Sequence, residues 1–199
     1  MNKLLTFLLI AATLSIAATP SHAQRRGQKP SQDGEMLAQS CTGCHGERGV
    51  SNAAPMPSVG GQNEAFLVAA MKAYRDGQRA GTIMPQIAKG FTDAQLGGIA
   101  AYLSKLPWKS SVQGIDPALV AKGKPIFSKA CADCHPNGGR ESKESDYPLL
   151  AGQWLSFLHL SANAARDGSW KVDDKFLAKI EGLKADELEA VLAFLAAQQ

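Results

Sequence analysis

The feature that most constrains this chain is a pair of short motifs that together hold all four of its cysteines. CTGCH begins at Cys41 and CADCH begins at Cys131, so each Cys-x-x-Cys pair is followed directly by a histidine. Each motif therefore brings two thiols and one imidazole close together along the chain. The fold of this chain has to present two such groups in equivalent surroundings.

The similarity extends beyond the cysteines and indicates an internal duplication. PSVGGQ in the first half matches PLLAGQ in the second, and an Arg-Asp-Gly sequence follows in both. Three pairs of segments correspond: 57–62 with 148–153, 66–77 with 157–168, and 90–106 with 182–198. We therefore predict one domain that occurs twice, at 31–107 and 114–199. The linker, 108–113, lies in a turn-rich stretch.

Each copy is predicted to contain three helices connected by loops, and the fold class is all-α. The second helix runs through Glu64–Arg75 in copy 1 and Trp154–Arg166 in copy 2, and the third starts at Thr92 in copy 1. Apolar residues in the third helices are spaced so that they share one face. These residues are Leu96, Ile99, Ala100 and Leu103, with Leu188, Val191, Leu192 and Leu195 as their counterparts. No segment alternates between apolar and polar residues as a strand would.

The N-terminal segment, 1–23, is predicted to be a cleaved signal peptide. Lys3 precedes an apolar run that is short for a membrane span, and Ser21-His22-Ala23 is typical of a cleavage site. The segment 24–30 then forms a flexible basic tail, and we predict a periplasmic protein with no transmembrane segment after cleavage. The formal charge of +3 is too small to indicate nucleic-acid binding.

The cysteine motifs have four possible interpretations. A disulfide in each would leave the histidines without a role, and Cys-x-x-Cys bridges tend to be reactive. Zinc lacks a fourth ligand, and a thioredoxin-like site needs a βαβ unit. Covalent attachment of haem uses all three residues, because the thiols form thioethers and the histidine binds iron. We predict two covalently bound haem c groups, held by Cys41, Cys44, Cys131 and Cys134, with His45 and His135 as iron ligands.

A proline follows each histidine at nearly the same spacing. Pro57 follows His45 in copy 1, and Pro148 follows His135 in copy 2, where the interval is longer by a single position. Iron-bound histidines need an acceptor for the second ring N–H. We therefore predict that the Pro57 and Pro148 loops supply backbone carbonyls to the two histidines.

Together these motifs resemble the class I c-type cytochromes, and their duplication resembles the dihaem cytochrome c4 group and the dihaem subunit of flavocytochrome c sulfide dehydrogenase. The resemblance covers about 31–199. It implies a periplasmic electron-transfer protein whose domains face each other across a pseudo-two-fold axis. It also implies that the Arg-Asp loops at Arg75 and Arg166 lie near the domain interface.

The sixth iron ligands are expected to differ between the copies. Met84, in the Met-Pro segment of copy 1, is the predicted ligand of haem 1. Copy 2 contains no methionine. Counting forward from the Arg-Asp-Gly loop places Lys175 opposite Met84, whereas counting backward places Phe176 there. The alternatives for haem 2 are a lysine amine, with Lys175 ahead of the others, an open or water-bound site, or His159; the other lysines are Lys171 and Lys179.

Three functions are compatible with these features. The first is a soluble carrier that passes electrons from haem 2, at lower potential, to haem 1 and exchanges them with periplasmic redox proteins such as an oxidase, a reductase or a dehydrogenase. The second is the cytochrome subunit of a dehydrogenase that oxidises a sulfur compound. The third is a haem enzyme with an open site at haem 2. The sequence contains no flavin or nucleotide motif, so the first function is preferred and the chain itself is not expected to be an enzyme.

Overall fold

The computed structural model describes residues 30–199, with side chains from residue 34 onward. The predicted signal peptide, 1–23, and the tail as far as residue 29 lie outside these residues. The described chain is helical, and its only β-type pairing is a single antiparallel bridge. The helices are α1 (Pro30–Ala38), α2 (Thr42–His45), α3 (Glu64–Arg75), α4 (Met84–Ala88), α5 (Asp93–Leu103), α6 (Pro117–Ala130), α7 (Pro136–Gly139), α8 (Leu155–Arg166), α9 (Asp174–Glu181) and α10 (Ala185–Ala196).

The first and last helices of each half cross at very short range. A Cβ atom on Gly34 of α1 would lie 2.1 Å from the carbonyl oxygen of Gly98 in α5. A Cβ atom on Gly123 of α6 would lie 1.9 Å from the carbonyl oxygen of Ala190 in α10. Because any side chain would collide with backbone, glycine permits this crossing in both halves.

The last helix of each half forms the centre of its core, as the sequence predicts. Thr92 caps α5, and the reciprocal bonds between Thr92 and Gln95 form the predicted capping box. The predicted apolar faces are buried in both halves: Leu96, Ile99, Ala100 and Leu103 in α5, and Leu188, Val191, Leu192 and Leu195 in α10. The all-α prediction is confirmed.

The prediction of three helices per copy is too simple. Short helices α4 and α9 occupy the stretch expected to be a loop. Pro85 in the first turn favours α4, because proline fits a position whose N–H lacks a helical partner. Asp173 caps α9 by accepting a hydrogen bond from the Phe176 N–H.

Equivalent segments of the two halves pair across a local two-fold relationship. Arg79 and Trp170 form the antiparallel bridge. The Ala80 N–H donates to the Ser169 carbonyl at 2.7 Å, and the Lys171 N–H donates to the Gln78 carbonyl at 2.7 Å. These residues follow directly after the two Arg-Asp loops, which therefore lie at the interface, as the resemblance implies.

Hydrogen bonds join the linker, 108–113, to the second half. Trp108 donates its indole N–H to the Ala151 carbonyl at 2.8 Å, and the Ser110 hydroxyl donates to the Gln198 carbonyl at 3.0 Å. The Ser111 N–H donates to the Gly152 carbonyl at 2.7 Å. These bonds fix the path between the halves.

Candidate functional site: two histidine motifs and the interface between them

The first motif lies where a 3₁₀ turn passes into α2. Cys41 ends the turn, and Cys44 and His45 lie in the helix that follows. His45 is 8% exposed, whereas Cys44 is exposed. The imidazole is therefore buried, whereas the Cys41 side chain is half-buried and the Cys44 side chain is exposed.

The second motif has a similar arrangement at the end of α6. Cys131 is the C-terminal cap of that helix, and His135 is 8% exposed. Burial raises the pKa of the Cys131 thiol to about 11, against the opposing charge of Lys179. The second half thus places an ammonium group near its cysteine motif.

The two histidines are held as neutral imidazoles. Burial lowers the pKa of both His45 and His135, and a proline carbonyl opposes this effect in each case. His45 Nδ1 lies 2.8 Å from the Pro57 carbonyl oxygen. Because a carbonyl only accepts, Nδ1 carries the proton and the lone pair of Nε2 remains free to bind a metal.

The two halves differ at this hydrogen bond. The Pro148 carbonyl is near enough to raise the pKa of His135. However, His135 Nδ1 is a buried atom without a hydrogen-bond partner of acceptable geometry among the described residues. Instead, the Tyr147 ring packs beside the imidazole, with 5.9 Å between ring centroids. The contact between proline and histidine therefore has full hydrogen-bond geometry in the first half and a looser geometry in the second.

The candidates for the opposite side of the iron lie in equivalent short helices. Met84 is half-buried at the start of α4, which packs against α3. Ala88 and Ile180 are the buried residues of α4 and α9, and aligning them places Met84 opposite Phe176. Aligning Arg79 with Trp170 instead places Met84 opposite Lys175, so the second half contains one additional residue between Trp170 and Phe176.

Phe176 and Lys175, the two residues that the alignments place opposite Met84, differ in their surroundings. Phe176 is half-buried and packs against Trp170, with 6.4 Å between ring centroids, whereas Lys175 is exposed. Lys179 lies one helical turn beyond Lys175 and so on the same face of α9. Lys171 is exposed, and His159 is half-buried within α8.

Arg79 is a buried cation at the interface, and sequence analysis missed it. Its side chain is 5% exposed, and burial lowers its pKa. The guanidinium stacks between aromatic rings of both halves, 3.9 Å from the Trp170 centroid and 4.8 Å from that of Tyr74, and donates to the Ser161 hydroxyl at 3.3 Å. Within residues 34–199 no carboxylate forms an ion pair with it.

The tryptophan that follows Gln153 along the chain carries a buried donor without a partner. The indole N–H of Trp154 is buried and has no hydrogen-bond acceptor among the described residues. A buried cation without a carboxylate and a buried donor without an acceptor both favour an anionic group nearby. The carboxylates of a haem are groups of this kind, so these residues fit the predicted cofactor.

Two glutamines exchange equivalent hydrogen bonds across the interface. The Gln153 amide accepts from the Ser58 N–H at 3.0 Å and donates to the Ser58 carbonyl at 2.9 Å. The Gln62 amide accepts from the Leu149 N–H at 2.7 Å and donates to the Leu149 carbonyl at 3.0 Å. Ser58 and Leu149 each follow the proline of their own half. The identical Gly-Gln pair in both copies is the sequence signal for this exchange, but the partners are not readable from it.

The other interpretations of the cysteines gain no support. All four cysteines are free thiols, and they remain available for thioether bonds. Among residues 34–199, no three side chains of His, Cys, Asp or Glu converge on a possible metal site. The donor set therefore suits a prosthetic group that brings its own iron.

Comparison with known families assigns each half to a cytochrome family. Residues 30–103 match the family described as cytochrome C oxidase, cbb3-type, subunit III, and residues 120–199 match the family described as cytochrome c. The two matches divide the chain as the internal repeat does.

Relatives and a solved structure extend over both halves. The chain is 31% identical to the thiosulfate dehydrogenase electron acceptor of Thiomonas intermedia, over 81% of this chain and 79% of the relative. It is 29% identical to cytochrome c4 of Azotobacter vinelandii, over 85% of this chain and 84% of the relative. Reduced cytochrome c4 from Pseudomonas stutzeri superposes with a TM-score of 0.76 at 25% identity, covering 85% of this chain and 98% of that one.

Two tandem helical domains, each with a buried histidine beside two free thiols, define a dihaem c-type cytochrome. The chain belongs to the c-type cytochromes, and cytochrome c4 is among its homologues. The predictions of two cytochrome c domains, two covalent haem c groups and an electron carrier rather than an enzyme are thereby confirmed. Among the residues that the structure describes, no helix is both long and apolar enough to cross a membrane.

Proposed function

We propose that this cytochrome carries electrons in the periplasm, from a low-potential site in the second domain to a high-potential site in the first. The supporting observation is the chemical difference between the two equivalent short helices. Helix α4 begins with Met84, whereas α9 has no methionine and carries Phe176 and two lysines instead. The domain bounds remain those predicted, 31–107 and 114–199.

The motif residues have equivalent roles in both domains. Cys41 and Cys44, and likewise Cys131 and Cys134, hold the haem through thioether bonds. His45 and His135 bind iron, and the hydrogen bond of His45 Nδ1 to the Pro57 carbonyl leaves Nε2 as the ligand atom of His45. The bound haem supplies an iron that alternates between the ferric and ferrous states. Pro57 fixes the orientation of His45 through the 2.8 Å hydrogen bond.

The sixth ligands set the order of the potentials. The Met84 thioether is a soft ligand that favours ferrous iron and raises the potential. In the second domain a lysine nitrogen or an open position takes its place. Lys175 remains a candidate. Lys179 is a second one, because its positive charge acts to lower the pKa of Cys131 and so lies near the cysteine motif.

The interface residues neutralise and hold the haem carboxylates. Arg79 supplies a buried positive charge, and Trp154 supplies an indole N–H donor that lacks another acceptor among the described residues. Arg79 lies where the two domains meet, so its placement also supports short-range exchange of electrons between the domains. Export is part of this proposal because of the predicted signal peptide, 1–23.

The test is a spectroscopic redox titration of the haem-loaded protein together with its EPR spectrum in the oxidised state. We expect two separate midpoint potentials. The higher one should belong to the haem with histidine and methionine ligands. Equal potentials, or a lower potential at the haem bound by Met84, would contradict the proposal.

A second candidate is the electron acceptor of an enzyme that oxidises a sulfur compound. The chain is 31% identical to an acceptor of thiosulfate dehydrogenase, and this similarity is the specific observation in its favour. Reduction of the purified cytochrome by a thiosulfate dehydrogenase plus thiosulfate would support this role. Failure of that reduction, with normal reduction by a non-physiological donor, would leave the general carrier function only.

A further inference from the structure

The Pro57–Ser58 peptide group is hydrogen-bonded at both of its polar ends. Its carbonyl oxygen accepts from His45 Nδ1 at 2.8 Å, and its N–H, which belongs to Ser58, donates to Gln153 Oε1 at 3.0 Å. His45 lies in the first domain and Gln153 in the second. One peptide group thus connects a side chain of the second domain to the histidine of the first.

The two ends of this connection are buried, and Pro57 between them is half-buried. His45, Ser58 and Gln153 are 8%, 2% and 3% exposed. Gln153 also donates to the Ser58 carbonyl at 2.9 Å, which fixes which end of its amide faces the Ser58 N–H. The Gln153 oxygen has one competing donor, the backbone N–H of Trp154 at 3.1 Å. Water therefore does not substitute for the glutamine without a rearrangement of the interface.

Hydrogen bonds in such a chain strengthen one another. An acceptor at a peptide N–H increases the electron density on the carbonyl of the same peptide, and each hydrogen bond in such a chain is strengthened by roughly 10–30%. A stronger acceptor draws the Nδ1 proton of the histidine further away, and this makes Nε2 a better electron donor. A better donor stabilises ferric iron and lowers the reduction potential.

We infer that Gln153 of the second domain lowers the reduction potential of haem 1 by polarising the Pro57–Ser58 peptide that bonds to His45. The inference rests on the proposed binding of iron by His45. Gln153 touches neither the imidazole nor its metal site and acts as a positioning residue through the peptide group. The potential of the first domain then depends on its contact with the second.

The reciprocal connection is weaker. Gln62 accepts from the Leu149 N–H at 2.7 Å, so the Pro148–Leu149 peptide is polarised in the same way. Its carbonyl, however, makes no hydrogen bond of acceptable geometry with His135. The influence therefore runs mainly from the second domain to the first.

The experiment measures both midpoint potentials in the haem-loaded full chain of Gln153→Leu. We expect the potential of haem 1 to rise and that of haem 2 to stay unchanged. In the reduced protein, where haem 1 with histidine and methionine ligands is diamagnetic, the His45 Hδ1 and Ser58 amide protons should both move upfield in NMR spectra. Gln153→Glu keeps an acceptor oxygen at the Ser58 N–H, so the potential of haem 1 should stay at or below its native value, and this variant serves if Gln153→Leu does not fold.

Asn63→Ala is the matched control. Asn63 donates across the same interface to the Ser142 hydroxyl at 2.6 Å and the Tyr147 carbonyl at 2.5 Å, but it does not contact the Pro57–Ser58 peptide. We expect no shift of haem 1 in this variant. A shift equal to that of Gln153→Leu would mean that loosening of the interface is the cause, and the inference would be wrong.

Failure of the inference is distinguishable from failure of the proposed function. If the Ser58 amide moves but the potential of haem 1 does not, polarisation has no effect and only the inference is overturned. If the native protein lacks a histidine-ligated, low-spin haem in the first domain, His45 is not the ligand. In that case both are overturned.

Discussion

The guanidinium of Arg79 lies 3.9 Å from the centre of the Trp170 ring, and these two residues occupy equivalent positions in the two copies of the repeat. The pseudo-two-fold relationship therefore places a cation in one copy against an aromatic ring in the other. A desolvated cation–π contact of this kind contributes about 2 kcal/mol. The charge itself has no carboxylate partner among residues 34–199.

Replacing that charge is expected to lower a reduction potential. In Arg79→Met, ferric iron loses a nearby repelling cation and becomes more stable, so at least one haem should have a lower midpoint potential by spectroelectrochemistry. Arg75→Met is the control, because Arg75 pairs with Asp76 and Asp93 at the surface. If both variants shift the potentials equally, Arg79 has no special relationship to the haem carboxylates.

Met84→Lys should make the first site resemble the second. Loss of the thioether removes the preference for ferrous iron, so we expect the potential of haem 1 to fall and the iron–sulfur absorption band of the oxidised protein to disappear. Met36→Lys is the comparison variant, since Met36 is 59% exposed. An unchanged absorption band in Met84→Lys would exclude Met84 as the ligand.

The reverse substitution distinguishes between the two alignments of α9. If the buried Ile180 sets the register, Phe176→Met places a thioether opposite the iron and raises the potential of haem 2. If the Arg79–Trp170 bridge sets it, Lys175→Met has that effect instead. Redox titration of the two variants, side by side, identifies the position equivalent to Met84.

Gly34→Ala should destabilise the first domain. A Cβ atom would lie 2.1 Å from a backbone oxygen, and forced separation of two packed helices costs about 1–3 kcal/mol. Gly97→Ala is the matched substitution, because Gly97 lies in α5 with open space around it, and it should be neutral or stabilising by up to ~1 kcal/mol. Denaturant unfolding of both variants provides the comparison, and equal effects would show that the close crossing is absent.

The ion pair between α6 and α10 is expected to lose its effect in acid. Lys122 lies 2.6 Å from Asp186 and lowers the pKa of that carboxyl group. The stabilisation from a lowered carboxyl pKa is present above the pKa of the unfolded chain and disappears as the pH falls through the folded one. Asp186→Asn should thus be slightly less stable than the native protein at neutral pH but not in strong acid, as measured by thermal unfolding under both conditions.

Local features of this chain were predictable, and contacts between its halves were not. The capping box at Thr92 and the apolar face of α5 depend on residues within one helical turn of each other, so the sequence pattern reveals them. Helix α4 was missed because so short a helix gives no usable periodicity. The bond between Gln153 and Ser58 joins residues 95 positions apart, and it exists only because the domains dock in one orientation.

The residues of the candidate site divide in the same way. His45 follows from the spacing of the cysteines, whereas Arg79 looks like an ordinary charged residue in a polar loop. Nothing in its neighbours along the chain indicates that rings from Tyr74 and Trp170 enclose it. Burial of a lone cation becomes visible only when both halves are in place.

The reciprocal glutamine bonds have a consequence for how the duplicated gene diverges. After a duplication each copy is normally free to drift, but here Gln62 and Gln153 each support the loop that carries the other copy's proline. The two copies share the proline, glycine and glutamine of these loops (57, 61 and 62 in copy 1; 148, 152 and 153 in copy 2), and they differ at the position of Met84. A substitution at the position of Met84 leaves these bonds in place, whereas loss of either glutamine leaves polar groups of the other copy without partners.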